Sequence, residues 1–284
     1  MPDHVRIFEV GPRDGLQNQE RIISTQDKIK LVDLLSDCGL SHIETTSFVS
    51  PKWVPQMADA AAVMKGISRR KGTKYAALTP NLKGYNAAID AGVDEVAIFA
   101  SASEGFSQKN INCSIDESII RFEPIIQQAK IDKCNVRGYV SCITDCPYDG
   151  SVTPEQVIKV ALRLLDMGCY EISLGDTIGA ATPEKTRALL SSMSNYMPVE
   201  VLAGHFHDTN DRALENIQVC LEFGVRTFDS AVGGLGGCPY AEGAKGNVDT
   251  VSVAKLLREM NFETGLDIDK LEKASAFARS LSEN

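Results

Sequence analysis

The segment His205-Phe-His207 is the first stretch with chemical content, because the chain holds only four histidines. In an extended strand, side chains at i and i+2 share a face. Two imidazoles at that spacing project together and can grip one metal ion, whereas two independently packed histidines need no such spacing. The residues before them are apolar with β-branched members, which predicts a strand over 199–203 with the pair at its end.

Other polar residues fall at equivalent places. Arg13 and Asp14 follow a predicted first strand, Glu44 lies in the second, and Asp176 follows the sixth. A glycine-rich loop after the eighth carries Cys238 and Asn247. Each alone has a bland explanation. Arg13 and Asp14 fit a surface ion pair, Glu44 fits a barrel-layer residue paired to an arginine, and Asp176 fits a helix cap. Their shared position at strand C-terminal ends favours chemistry, because barrel active sites sit there. Two histidines, an aspartate and a side-chain amide make a mixed nitrogen and oxygen donor set. It suits octahedral Mg²⁺ or Mn²⁺, whereas thiolates would favour zinc. A cysteine within a mobile glycine loop is a candidate for proton transfer, and the loop for a lid.

The elements that must position these residues alternate throughout. Strands are expected at 5–10, 42–46, 74–79, 95–100, 136–141, 170–174, 199–203 and 227–232. A long loop is expected at 11–24 and a polar loop after the fourth strand. Helices are expected at 25–38, 56–65, from Asn81 to before Gly92, 114–130, 154–167, from Pro183, and 210–223. Two more, near 251–260 and 268–281, close the chain. Ser114-x-x-Glu117 reads as a capping box, and Thr153-Pro and Thr182-Pro as helix starts. A weak repeat supports the pattern: Gly39-Leu-x-x-Ile43, Gly92-Val-x-x-Val96, Gly168-Cys-x-x-Ile172 and Gly224-Val-x-x-Phe228 each end a helix and open a strand. Eight such units predict an α/β fold, a (β/α)₈ TIM barrel with additional C-terminal helices, as one catalytic domain over 1–284. An open doubly wound sheet would want a glycine-rich phosphate turn after strand one, and Gly11-Pro-Arg-Asp-Gly15 is not one.

Composition sets the frame. The chain has 284 residues, 43% hydrophobic and 24% charged, with net charge −9. That balance argues against nucleic acid as a partner. Apolar runs fall far short of the ~20 residues a membrane span needs. No targeting segment is expected before the first strand, and eight scattered cysteines without a CxxC pair read as reduced thiols. Both point to the cytoplasm, of a bacterial cell.

The residues together resemble the 3-hydroxy-3-methylglutaryl-CoA (HMG-CoA) lyase family of metal-dependent barrel lyases, over nearly the whole chain. The motifs that carry the resemblance are Glu9-Val-Gly-Pro-Arg-Asp-Gly-Leu-Gln-Asn18, Ile43-Glu-Thr-Thr-Ser-Phe-Val-Ser-Pro-Lys-Trp-Val-Pro-Gln-Met57, Leu78-Thr-Pro-Asn-Leu-Lys-Gly84, Lys109-Asn-Ile-Asn-Cys113, Val136-Arg-Gly-Tyr-Val-Ser-Cys142, Ile172-Ser-Leu-Gly-Asp-Thr-Ile-Gly179 and the Cys238 loop. The resemblance implies cleavage of HMG-CoA to acetyl-CoA and acetoacetate by a homodimer. It implies Asp14, His205, His207 and Asn247 as ligands of Mg²⁺ or Mn²⁺. It implies Arg13 as the residue steadying the thioester enolate, Cys238 as a catalytic thiol, Glu44 as a support of the metal site and Asp176 as a further acid. Gln17, Lys83, Lys109 and Asn110 would contact substrate, the last three its coenzyme A part. One departure is Glu20, where animal members carry a lysine.

The chemistry is consistent with these roles. Breaking C2–C3 needs the C3 hydroxyl deprotonated, by Asp14 or His205, while C2 leaves as an enolate beside the permanent cation of Arg13. A related synthase condensing an acyl-CoA with a 2-oxo acid is the alternative. Such enzymes carry an acidic residue where Leu16 stands, and a long C-terminal domain. A Schiff-base aldolase would want a strand-end lysine, and none is found in strands five to seven. A metal hydrolase would want more histidines than His4 and His42 supply. Retention of every candidate ligand argues against a non-catalytic binding protein.

Overall fold

Eight parallel strands close into a barrel in the computed structural model, which describes residues 3–238 and 241–282, with backbone alone for 237–238 and 241–244. The barrel strands are β1 (Arg6–Glu9), β2 (His42–Ser47), β3 (Lys74–Leu78), β4 (Glu95–Ser101), β5 (Asn135–Ser141), β6 (Ile172–Asp176), β7 (Leu202–Phe206) and β8 (Thr227–Ser230). Each pairs with its sequence neighbour, and β1 pairs with β8 from Arg6↔Thr227 to Glu9↔Ser230, which closes the ring. The helices around it are α1 (Thr25–Ser36), α2 (Ala60–Gly66), α3 (Leu82–Asp90), α4 (Glu104–Ile111), α5 (Ile115–Asp132), α6 (Pro154–Met167), α7 (Pro183–Met193), α8 (Ala213–Phe223), α9 (Thr250–Glu259) and α10 (Ile268–Ser282). This is the expected (β/α)₈ barrel.

Local chemistry explains the boundaries. Ser24, Asn81, Ser114 and Thr182 accept the backbone N–H that opens their helices, and Ser114 with Glu117 forms the expected reciprocal box. The four repeat glycines all have positive φ, at Gly39, Gly92, Gly168 and Gly224. A side chain there would be strained, so the repeat marks one αβ turn used four times.

Some boundaries differ from expectation. The run 199–201 is a 3₁₀ turn after Pro198, and β7 begins only at Leu202, where its ladder with Ile172 starts. The sixth strand likewise begins at Ile172 and runs to Asp176. The helix expected at 56–65 divides into a 3₁₀ turn, Pro55–Met57, and α2. The polar stretch after β4 holds α4, capped by Ser103. The loop after β1 starts with a wide π-type turn, Gly11–Gly15, in which the amides of Arg13, Asp14 and Gly15 all point at the Val10 carbonyl. That turn carries Arg13 and Asp14 over the barrel mouth.

The main apolar core lies between strands and helices, from Val5 to Leu281. Inside the ring, apolar side chains such as Phe8 and Ala76 give way to buried charge. Glu9 ties the upper end of β1 to its surroundings. Its carboxylate accepts from the amides of Gly11 (2.8 Å) and Val232 (2.9 Å) and from the Thr250 hydroxyl (2.7 Å). Burial outweighs these hydrogen bonds and pushes its pKa from 4.5 up to about 7. The folded state therefore holds this proton more tightly than the unfolded chain. The resulting stabilisation is complete below pH 4.5 and is lost as pH rises through about 7. We expect Glu9→Gln to remove that decline. Relative to the variant, wild-type stability should fall by up to about 3 kcal/mol between pH 5 and 8 in urea denaturation. Parallel pH profiles would assign the decline to another group.

Candidate active site

Asp14, His205 and His207 converge at the C-terminal mouth of the barrel. One ligand atom from each lies within 4.8 Å of the others. The π-type turn delivers Asp14, and His205 sits in β7 with its register neighbour Asp229 in β8. His207, just past the end of β7, forms an isolated bridge with Asn247. That bridge draws the far side of the glycine loop to the mouth. The Asn247 amide then donates to Asp14 Oδ2 at 2.8 Å, and the Gln17 amide to Asp14 Oδ1 at 3.2 Å. His205 Nε2 lies 4.0 Å from Asp14 Oδ2.

The electrostatics fit a cation. Burial opposes ionisation of Asp14, but Arg13 and then the two histidines hold its pKa down to about 2. Burial, and then His205, lower His207 from 6.5 to about 4, so it is neutral at physiological pH. Burial also disfavours charge on His205, but the hydrogen bond to Asp229 and the charges of Asp229 and Asp14 outweigh it and raise its pKa. His207 Nδ1 is buried with no hydrogen-bond partner among the described residues. An orphaned ring nitrogen beside an ionised carboxylate and a second imidazole is what a metal-binding set looks like before its ion is counted.

Arg13 and Glu44 stand beside this cluster. Arg13 is buried; its Nε donates to Glu44 Oε2 at 2.6 Å and its Nη1 donates to Asp14 Oδ1. Its Nη2 has no hydrogen-bond partner among the described residues. Burial opposes charge on Arg13, yet Asp14 and Glu44 raise its pKa, so it stays a cation. Burial raises the Glu44 pKa and Arg13 works against that rise. The Tyr139 hydroxyl donates to the same Glu44 oxygen at 3.1 Å, and the Arg13 guanidinium lies 5.4 Å from the Tyr139 ring centre.

Residues 4–278 match the family model described as HMGL-like. The chain belongs to the HMGL-like family. A 3-hydroxy-3-isohexenylglutaryl-CoA/hydroxy-methylglutaryl-CoA lyase of Pseudomonas aeruginosa is 56% identical over 274 residues, 96% of this chain and 91% of that protein. The mitochondrial hydroxymethylglutaryl-CoA lyase of Bos taurus is 54% identical over 97% of this chain and 85% of its own length. A crystal structure of the HMG-CoA lyase from Brucella melitensis superposes with a TM-score of 0.98, at 57% identity, covering 99% of this chain and all of that one.

The remaining residues expected of an HMGL-like site fall in three groups. Asp176 ends β6 and is buried, but its two oxygens accept from the amides of Ala180 (3.0 Å) and Ala181 (3.1 Å). Burial raises its pKa to about 6. It anchors the turn into α7 and stands outside the Asp14–His205–His207 cluster. Thr182, not Asp176, caps that helix. Lys83 on the first turn of α3, and Lys109 and Asn110 at the end of α4, are exposed and have no hydrogen-bond partner among the described residues. Lys83 is at the start of the helix after β3, and α4 lies in the connection from β4 to α5, so both belong to the βα segments of the mouth side. The side chain of Cys238 is outside the described residues; its backbone pairs with Ala241 in a short hairpin.

Several buried polar residues of the barrel interior have no place in the sequence-based roles. Arg137 in β5 donates to Glu171 Oε1 (2.8 Å), to Asp229 Oδ1 (2.7 Å) and Oδ2 (3.0 Å), and to the Tyr139 hydroxyl (3.1 Å). Asp229 also receives the Ser173 hydroxyl and faces His205. The signal for them is a charged residue at alternate positions of an otherwise apolar strand, as in Val136-Arg-Gly-Tyr.

Proposed function

We propose that the protein cleaves HMG-CoA to acetyl-CoA and acetoacetate by retro-Claisen scission of C2–C3. Identity above 50% to lyases of that name across nearly the whole chain carries this reading. The convergence of Asp14, His205 and His207 at one barrel mouth supports it. The same relatives make the condensing synthase the weaker alternative.

Asp14, His205, His207 and Asn247 would hold one divalent cation, Mg²⁺ or Mn²⁺. Such an ion would supply Lewis acidity that eases loss of the C3 hydroxyl proton. Asp14, beside His205, receives that proton, and the C3–O bond becomes the ketone of acetoacetate. The C2–C3 electron pair leaves as the thioester enolate. Arg13 lies where that negative charge grows, and its Nη2 is the donor left for it. Glu44 and Tyr139 hold the guanidinium in place. The enolate takes a proton at C2 to give acetyl-CoA, and Cys238 is the proposed donor on sequence grounds. Gln17 would orient the acyl group through Asp14. Lys83, Lys109 and Asn110 would meet the coenzyme A part, and Asp176 would keep the β6 turn in position. The main apolar core, which runs from Val5 to Leu281, supports one catalytic domain over 1–284. A homodimer is the proposed assembly. No described helix is long and apolar enough to cross a membrane, and the seven described cysteines are free thiols. The thiols support a reducing compartment, with the cytoplasm as the proposed one.

The deciding experiment is a coupled assay for acetoacetate released from HMG-CoA, with Mg²⁺, with Mn²⁺ and in excess chelator. Release is expected with either ion and should collapse in chelator, returning when the ion is restored. No release under any condition would overturn the lyase assignment. Full turnover in protein shown by elemental analysis to be metal-free would overturn the metal set alone. The Pseudomonas relative carries a second, longer substrate in its name. The isohexenyl thioester therefore belongs in the same assay.

A further inference from the structure

We propose that Asp229 is a positioning residue that fixes the tautomer of His205, holding the ring proton on Nδ1 and turning the Nε2 lone pair toward Asp14. The proposal rests on the assignment of His205 to the metal-binding set.

The donors and acceptors around Asp229 leave one arrangement. Asp229 is buried in β8 beside His205 of β7, and its Oδ2 lies 3.0 Å from His205 Nδ1. The same oxygen receives Arg137 Nη1 at 3.0 Å and the Ser173 hydroxyl at 2.7 Å, and Oδ1 receives Arg137 Nη2 at 2.7 Å. A guanidinium only donates. Two nitrogens of that permanent cation meet both oxygens, the arrangement of an ionised carboxylate. An ionised carboxylate only accepts, so the imidazole nitrogen facing it must carry a proton. A neutral ring has one N–H, so Nε2 is left bare. The opposite tautomer would set two lone pairs face to face in a buried site, with neither satisfied.

Asp229 cannot easily turn away. Arg137 is gripped on its other side by Glu171 Oε1 at 2.8 Å, and its guanidinium lies 4.2 Å from the Phe8 ring centre. The His205 ring is also walled in, with Tyr139 edge-on at 6.0 Å and 84°. Four barrel strands thus act on one imidazole: β5 gives Arg137 and Tyr139, β6 gives Ser173, β8 gives Asp229 and β7 carries the ring. A carboxylate behind a ligating histidine typically matters 10–100-fold for metal affinity.

Two measurements test this. In the metal-free wild-type chain with ¹⁵N-labelled histidine, NMR at pH 9 should show neutral His205 with its proton on Nδ1. Asp229→Asn removes the charge and one acceptor oxygen. Its Mn²⁺ dissociation constant, read by EPR, should rise about 10–100-fold, and the Nδ1–H signature should weaken, while far-UV circular dichroism shows the fold retained. A wild-type spectrum with the proton on Nε2, or a folded Asp229→Asn that binds Mn²⁺ as wild type does, would overturn the proposal. Should the variant fail to fold, the wild-type spectrum decides alone. Activity separates the two levels. A chain that binds Mn²⁺ with the Nδ1–H tautomer yet releases no acetoacetate overturns the lyase assignment and leaves Asp229 its role. A chain that cleaves HMG-CoA with the Nε2–H tautomer overturns the role of Asp229 alone.

Discussion

Arg13→Gln lowers kcat on HMG-CoA by roughly 10²- to 10⁴-fold and changes KM far less. The size follows from what is lost. Removing a single donor to a developing oxyanion costs about 10²- to 10³-fold in other enzymes, and here a full positive charge goes with the donor. The split between kcat and KM follows from timing. Charge appears on the thioester only as C2–C3 breaks, so Arg13 acts mainly on the transition state. Its surroundings are arranged for that one task. Nε is spent on Glu44 Oε2 at 2.6 Å and Nη1 on Asp14, while Nη2 has no partner among the described residues. Arg13→Lys should recover little. An ammonium keeps the charge, but one nitrogen cannot hold Glu44, steady Asp14 and meet the enolate together. Gln is the better probe of the charge itself, since its amide can still donate to Glu44 and spare a buried carboxylate from standing alone. Steady-state kinetics on both variants, with circular dichroism as the fold check, reads the result. A Gln variant with near-normal kcat and a large rise in KM would move Arg13 to ground-state binding.

The barrel and its mouth were legible because they use local signals. Gly39, Gly92, Gly168 and Gly224 need positive φ, so one repeated turn announces four αβ junctions. His205 and His207 are two apart, and a strand end puts both on one side. Asp14 and Asn247 were readable as rim residues, but not their direct contact, since 233 positions separate them and a long-range hydrogen bond closes the gap. Arg137, Asp229 and Ser173 carried only an ambiguous local signal. A charge inside an apolar strand looks like a layer-filling residue until its partner is known, and Arg137 meets Asp229 across 92 positions. Turns also resisted. Nothing in Gly11-Pro-Arg-Asp-Gly15 announces three amides aimed at one carbonyl, yet that geometry brings Arg13 over the mouth. Pro198 with Val199-Glu-Val looks like a strand by propensity, but the neighbouring ladder begins later, and pairing decides where a strand starts. Asp176 was readable as a rim acid, but not its two amide partners, because they depend on the path of the following turn.

Asp14→Asn removes the anionic member of the donor set and should cost the most metal affinity of any single change at the mouth. Asp14 is the only carboxylate in the Asp14–His205–His207 cluster, so its replacement leaves two neutral imidazoles and amides to hold a divalent ion. It is also the group around which the others are arranged. Asn247 and Gln17 donate to it, Arg13 is paired with it, and its pKa of about 2 keeps it ionised at every working pH. An asparagine has one acceptor oxygen in place of two, and its NH₂ would point donors at Arg13 or at Asn247. The Mn²⁺ dissociation constant should therefore rise by more than the roughly 10- to 100-fold typical of partners behind a ligand. Turnover should fall with it at ordinary Mg²⁺ concentrations. Raising the ion tests the mechanism of loss. If metal binding were the whole defect, saturating Mn²⁺ would restore wild-type kcat. We expect only partial recovery, because Asp14 also receives the hydroxyl proton. The check is a titration by EPR beside kcat at each Mn²⁺ concentration. An Asp14→Asn protein that binds Mn²⁺ as tightly as wild type would remove Asp14 from the donor set, and full recovery of kcat at saturating ion would remove it from the proton transfer.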